Sequence, residues 1–151
     1  MVQGTQTGTG RPTSVTVAAW ILIVLGALVT LAGIFFVIGS GALASVFGPL
    51  AGLGIVMGII VLGLGVLELW SGIAILGGKN WARITGMVLS ALFGLLSLLS
   101  IITAFTTPAV TDPTTGVSAG GPGAAIGPIV GLLLYGFVLW ALAKAGSWFS
   151  R

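Results

Sequence analysis

This chain of 151 residues is 57% hydrophobic and only 5% charged, with a formal net charge of +3 and a mean hydropathy of +1.25. Soluble domains carry about 25% charged residues, so this composition excludes a water-soluble surface and predicts that lipid is the solvent. The sequence has no Cys, no His and two carboxylate side chains, Glu68 and Asp112. The residues needed for thiolate or histidine catalysis are absent, and two carboxylates are too few for a metal cage. We therefore expect that the protein is not an enzyme and has no catalytic residue, metal site or cofactor.

Four apolar stretches predict an all-α membrane fold, an antiparallel bundle of four transmembrane helices. A spanning helix needs about 20 mostly apolar residues, and such stretches lie at residues 15–38, 50–76, 81–105 and 124–145. Residues 1–14 are rich in Gly, Thr and Gln and predict a disordered cytoplasmic tail, so the transmembrane domain covers residues 15–148. Short connections favour antiparallel neighbours.

The connections between these stretches differ in character. Residues 39–49 are rich in Gly, Ser and Ala and predict a weakly polar outer connection close to the membrane surface. Residues 106–123 contain three prolines and Asp112, which predicts a water-exposed loop. The Gly-Gly-Lys-Asn sequence at residues 77–80 predicts a tight turn with a left-handed glycine at the helix end. From this turn we expect the second and third helices to form the tightest pair.

The second stretch combines a small-residue face with the only acid inside a predicted span. Small residues recur every seven positions, at Ala51, Gly58, Gly65 and Gly72. Gly54 forms a small-xxx-small pair with Gly58, and such faces let helix backbones approach closely. Glu68 shares this face. A charge near the bilayer centre costs about 2.5–3.5 kcal/mol, so we expect Glu68 to point at another helix and to be at least partly protonated.

Candidate partners for Glu68 lie on the third and fourth stretches. Ser90 and Ser97 are seven residues apart and lie on one helix face with Arg83, and they are also candidate packing residues. Tyr135 on the fourth stretch is a possible hydrogen-bond donor, and Lys144, nearer the inner face, can lean inward as a further candidate partner. Three interpretations stay open for Glu68: a hydrogen bond that sets helix register, a proton or cation site, or a contact with a partner subunit.

The residues after the turn predict an interfacial anchor. Trp81 belongs at the level of the lipid headgroups, and Lys79 and Arg83 can contact anionic lipid at about 1 kcal/mol each. A docking patch for a cytoplasmic partner is the alternative interpretation.

A resemblance to a known family rests on the turn Lys79-Asn80-Trp81-Ala82-Arg83 and the Glu68-Leu69-Trp70-Ser71-Gly72 sequence before it. These residues resemble a junction in small four-span membrane proteins of bacteria, especially high-GC actinobacteria. The resemblance implies a bacterial inner-membrane location and no known activity.

Basic residues all lie on one side of this four-span layout. They are Arg11, Lys79, Arg83, Lys144 and Arg151. Because Lys and Arg in loops set orientation, we predict a multi-pass protein of the inner (plasma) membrane with both termini cytoplasmic. Scattered single charges predict no nucleic-acid partner. We expect a non-enzymatic, structural or accessory protein that packs in the lipid bilayer through Gly-rich faces, as a homo-oligomer or in a larger complex. The alternative is a small transporter or channel subunit with Glu68 as its proton or cation site.

Overall fold

The computed structural model describes residues 10–114, 116 and 118–150, and most of this part is helical. The helices are α1 (Thr13–Ala42), α2 (Ala44–Phe47), α3 (Leu50–Leu76), α4 (Asn80–Thr106), α5 (Ile126–Lys144) and α6 (Gly146–Phe149). A 3-10 turn, Pro122–Ala125, precedes α5. Two short antiparallel strands, β1 (Val110–Thr111) and β2 (Ser118–Ala119), pair within the connection before it. The prediction of an all-α helical bundle is confirmed, while most of the predicted tail lies outside the described residues.

Four helices are long and apolar enough to cross a membrane. They are Thr13–Ala42, Leu50–Leu76, Asn80–Thr106 and Pro122–Lys144. Their outer surfaces carry large exposed hydrophobic side chains, among them Phe35 and Leu133, which are 72% and 68% exposed. Such a surface is suited to a hydrocarbon environment, because exposing apolar area to water costs about 25 cal/mol of free energy per Å².

The helix boundaries agree with the sequence except in the first connection. Helix α3 covers the predicted residues 50–76, and α4 extends its prediction by one residue at each end. The predicted end of the first helix at residue 38 is wrong, because α1 continues to Ala42, and the short helix α2 follows it within the connection. Packing explains the extension: Ser40 lies directly against Gly54 of α3. Gly48, where φ is +53°, ends α2 just before α3 begins.

Helices α1 and α3 form the closest pair in the described bundle. A methyl group added to Gly65 would lie 2.5 Å from the backbone nitrogen of Thr30. One added to Gly33 would lie 2.5 Å from the backbone nitrogen of Leu62. The prediction that α3 and α4 are the tightest pair is therefore wrong. Their turn is short, but contact along two helices depends on which face carries the small residues, and the glycine face of α3 packs on α1.

Helices α4 and α5 form the second pair. The rings of Phe93 and Tyr135 stack with their centroids 5.4 Å apart. Gly94 faces the Tyr135 side chain, and Gly131 faces Ser97. The bundle therefore consists of an α1–α3 pair and an α4–α5 pair, and we call the surface where the pairs meet the seam.

All four long helices meet around Gly86 in the seam. A methyl group added there would lie 3.1 Å from the Ile75 and Leu22 side chains and 3.3 Å from the Leu142 side chain. Leu22, Ile75 and Leu142 are each fully buried, and together they form the centre of the main hydrophobic core.

The predicted turn at residues 77–80 is confirmed in detail. Gly78 has a φ of +73°, and its N–H donates to the Ile75 carbonyl at 2.9 Å. The Lys79 N–H donates to the Ala74 carbonyl at 3.2 Å. These two bonds form a Schellman motif, which satisfies carbonyls that the end of α3 would otherwise leave without partners.

Two arginines satisfy further carbonyls at the same end of the bundle. Arg11 Nη1 donates to the Leu76 carbonyl at 2.7 Å, and Arg83 Nε donates to the Leu142 carbonyl at 2.8 Å. In each helix pair, an arginine near the start of the first helix thus caps the end of the second. A guanidinium is favourable there because a helix C-terminus carries partial negative charge. We call this the cationic end.

Candidate functional site

Glu68 is the central feature of the site. Its side chain is 0% exposed, and neither carboxyl oxygen has a hydrogen-bond partner among the described residues. It lies seven residues before Ile75, so it faces the interior two turns farther from the cationic end than the four-helix contact at Ile75. The prediction that Glu68 points into the bundle is confirmed.

Tyr135 of α5 lies beside the Glu68 carboxyl, close enough to interact with it. The tyrosine is 5% exposed, and its ring stacks on Phe93 at an interplanar angle of 19°. Stacking holds the ring in place and directs the hydroxyl toward the acid. The two groups do not reach hydrogen-bond geometry in this structure.

Ser90 of α4 carries a further buried hydroxyl of the seam. It is 0% exposed, and its Oγ has no hydrogen-bond partner among the described residues. Ser90 lies four residues from both Gly86 and Gly94, so all three share one face of α4. Gly86 meets the four-helix core and Gly94 meets Tyr135, which places Ser90 between these two contacts.

Ser97, the other predicted partner on α4, lies elsewhere. Its Oγ would be 3.1 Å from a methyl group on Gly131, so it packs between α4 and α5. The structure therefore buries Ser90 and Tyr135 in the seam that holds Glu68, whereas Ser97 is only partly buried and packs against Gly131. The sequence alone could not distinguish the two serines, because they share a heptad position.

The predicted packing glycines serve contacts within the chain. Gly58, Gly65 and Gly72 each face the α1 backbone, and Gly54 faces Ser40 at the end of α1. This face of α3 is consequently occupied and does not present its glycines to another protein.

The predicted interface anchors divide into two kinds. Lys79 and Trp81 are exposed at the cationic end. Arg83 is half-buried and turns inward, where its guanidinium bonds to α5 and lies 5.9 Å from the Phe149 ring centroid. This capping role and that of Arg11 were not predicted from the sequence. A usable signal was an arginine within one turn of the start of an apolar helix, where a neighbouring helix ends.

Basic side chains on the long helices are engaged away from Glu68. Helices α1 and α3 contain no Lys or Arg, α4 contains Arg83, and α5 contains Lys144. Lys144 Nζ lies 4.7 Å from the Trp140 ring centroid at the cationic end. An ionised Glu68 would therefore lack a compensating charge from these helices, which costs several kcal/mol for a buried ion. Within the described residues, no three Asp, Glu, His or Cys side chains cluster to bind a metal ion.

Comparison with known proteins gives no further assignment: no family model, curated protein or solved structure matches this chain.

Proposed function

We propose that this chain is a multi-pass protein of the bacterial inner (plasma) membrane, with its four long helices in an antiparallel arrangement. The order of contacts between α1 and α3 supports this arrangement. Gly72 packs against Ala19, while Gly58 packs against Val37, so positions rise along α1 as they fall along α3.

The distribution of charge supports cytoplasmic termini. Among the described residues, the basic side chains lie at the cationic end, where Arg11 and Arg83 bond to helix ends. Asp112 lies in the connection after α4, at the opposite end of that helix. The rule that Lys and Arg stay on the cytoplasmic side therefore places the cationic end in the cytoplasm.

Within this membrane bundle we assign Glu68 as the proton or cation site of a small transporter or channel subunit. The observation that carries this assignment is a wholly buried carboxyl with both oxygens unpartnered. Ionisable residues inside membranes commonly mark ion or proton pathways.

Flux measurements in proteoliposomes test this function. We expect wild-type protein to carry a proton or monovalent-cation flux, which Glu68→Gln abolishes because the amide cannot exchange a proton. Ser97→Ala is the matched control, since it removes a polar group of the same bundle that is only partly buried and packs against Gly131 of α5. Flux that is equal in wild type and Glu68→Gln would contradict the assignment, as would the absence of flux from folded wild-type protein.

A structural or accessory role in a larger membrane complex or homo-oligomer is the second candidate. Large exposed hydrophobic side chains on the helices support it, since such surfaces can pack against other membrane helices. The glycine face that first motivated this role no longer supports it, because that face packs on α1. Crosslinking in native membranes, followed by identification of the products, should capture a protein partner or a second copy. Recovery of monomers alone, with nothing co-purifying, would count against this role.

A further inference from the structure

We propose that the seam is a proton-binding site, in which Glu68 holds one exchangeable proton next to the hydroxyls of Tyr135 and Ser90. The physiological use of this site rests on the transport function proposed above, whereas proton binding itself is measurable without any flux.

Geometry is the first support for this site. Its three side chains come from α3, α4 and α5, and therefore from both helix pairs. Glu68 and Ser90 are wholly buried with no hydrogen-bond partner among the described residues, and Tyr135 lies beside the carboxyl. A protonated carboxyl can donate one hydrogen bond and accept others, which matches a region that offers two hydroxyl groups. The oxygens without a hydrogen-bond partner therefore belong to a carboxyl and a hydroxyl, which are groups that can share a proton.

Charge balance is the second support. The ionisable groups on the four long helices are Glu68 on α3, Arg83 on α4, and Tyr135 and Lys144 on α5, while α1 has none. Arg83 and Lys144 are held at the cationic end by α5 carbonyls and the Trp140 ring. Tyr135 is consequently the one ionisable group of these helices that faces Glu68. A buried carboxyl with no cation beside it becomes neutral by taking up a proton.

The oxygen count favours a proton over a metal cation. Two carboxyl oxygens and two hydroxyl oxygens are available from Glu68, Ser90 and Tyr135. The buried hydroxyl of Ser71 is already engaged, since it donates to the Glu68 backbone carbonyl at 2.8 Å. Hard cations take about six or more oxygen ligands. Carbonyls of the surrounding helices are already engaged in helical hydrogen bonds, which leaves them poorly placed to complete such a shell. A proton requires no shell and no added volume.

The position of the site links proton occupancy to the packing of the two helix pairs. Glu68 belongs to the α1–α3 pair, and Ser90 and Tyr135 belong to the α4–α5 pair. With the proton bound, the seam contains only neutral groups that can bond across it. Loss of the proton leaves a bare negative charge in the seam, which favours entry of water between the pairs.

Carbodiimide labelling of the full-length protein in phosphatidylcholine vesicles tests the proposal. A hydrophobic carbodiimide modifies carboxyl groups in their protonated form, and mass spectrometry locates the adduct. Asp112 is the only other side-chain carboxyl and is exposed, so it reports on reagent action outside the helices. We expect Glu68 to be labelled at neutral and mildly acidic pH. Once Glu68 is mostly ionised, labelling should fall by roughly tenfold per pH unit.

Variants identify the members of the site. Ser90→Ala and Tyr135→Phe each remove one hydroxyl, and we expect each to move the pH of half-maximal labelling by about one unit, a tenfold change in proton affinity. Ser97→Ala should leave it unchanged. Infrared detection of the protonated-carboxyl band in wild-type protein gives a second readout that needs no variant, and this band should disappear as labelling does.

Several results would overturn the proposal. The first is that Glu68 shows no labelling and no protonated-carboxyl band at any pH. The second is that Ser90→Ala, Tyr135→Phe and Ser97→Ala all have the half-maximal labelling pH of wild type. The third is that sodium suppresses labelling at constant pH. The last result would identify sodium as the ligand. If labelling behaves as expected but no flux is found, the transport function fails and the proton site stands.

Discussion

Gly65 and Glu68 lie three residues apart on α3, and the space and polar groups around each position determine the role of its side chain. At Gly65 the backbone of Thr30 is so close that a hydrogen atom is the largest side chain that fits. At Glu68 the side chain fits fully inside, but its polar atoms find no formed bond. Gly65 allows two helices to approach closely. Glu68 places a carboxyl in the interior, and this group becomes neutral only by binding a proton or hydrogen-bonded only after a small movement.

Replacing Gly65 by alanine should separate α1 from α3. The added methyl would lie 2.5 Å from the Thr30 nitrogen, so we expect a destabilisation of about 1–3 kcal/mol from overpacking. Gly63→Ala is the matched control, because nothing lies within 4 Å of that position and alanine favours a helix by about 1 kcal/mol. Unfolding in detergent, followed by circular dichroism, measures both. Equal stability of the two variants would show that the close approach is not required.

Arg83 offers a second test at this scale. Arg83→Met keeps the aliphatic stem but loses the bond to the Leu142 carbonyl at 2.8 Å. We expect a loss of about 1–2 kcal/mol in the free energy of unfolding, since a hydrogen bond to a charged group contributes about 1.5–3 kcal/mol and this one is only half-buried. Lys79→Met, at an exposed position of the same end, should stay within about 0.5 kcal/mol of wild type. The same unfolding assay applies, and a neutral Arg83→Met would remove the capping role.

The helices of this chain differ mainly in how the backbone carbonyls at their C-termini are hydrogen-bonded. The C-terminus of α3 is closed by a Schellman motif and by Arg11, while the C-terminus of α5 is closed by Arg83. The Schellman motif was predictable because its glycines are adjacent to the helix end in sequence. The arginine caps were not, because Arg11 and Leu76 are 65 residues apart and meet only when α1 and α3 pack.

Alanine at Gly78 should weaken the junction between α3 and α4. Gly78 has a φ of +73°, a conformation that costs an L-residue about 1–2 kcal/mol, and its new methyl would lie 3.2 Å from the Trp148 ring. Gly77→Ala is the control in the same turn, because φ there is −83° and the added group meets only ordinary contact. We expect thermal unfolding at lower temperature for Gly78→Ala alone. Partial recovery in Gly78→Asn would support the conformational cause, since Asn tolerates this region better.

At the scale of the whole molecule, two helix pairs share one cationic end and one buried polar seam. The pairs are held internally by close backbone contact and ring stacking, and they meet around Gly86 and the Glu68 region. Such a division allows the pairs to shift relative to each other while each remains intact, which is the kind of movement that a proton site at their boundary would influence.

Cysteine labelling tests the proposed orientation, and the chain suits it because it contains no Cys. Thr114→Cys lies in the connection between β1 and β2, and Ser147→Cys lies in α6, both at exposed positions. In intact spheroplasts, a membrane-impermeant maleimide should label Thr114→Cys. Ser147→Cys should react only after the membrane is permeabilised. The reverse pattern would invert the topology, and wild-type protein provides the unlabelled background.

The sequence by itself determined the four apolar helices, the grouping of basic residues beside their ends and the inward orientation of Glu68. These features follow from length, composition and local periodicity, because the energy of placing a side chain in hydrocarbon or in water depends mainly on that side chain. Only the tertiary structure decided that α3 packs on α1, that α1 continues past Ser40, and that Ser90 is wholly buried while Ser97 is partly buried against α5. Those outcomes depend on how each helix is rotated and shifted against its neighbours, and that is set by the simultaneous fit of residues far apart in the chain.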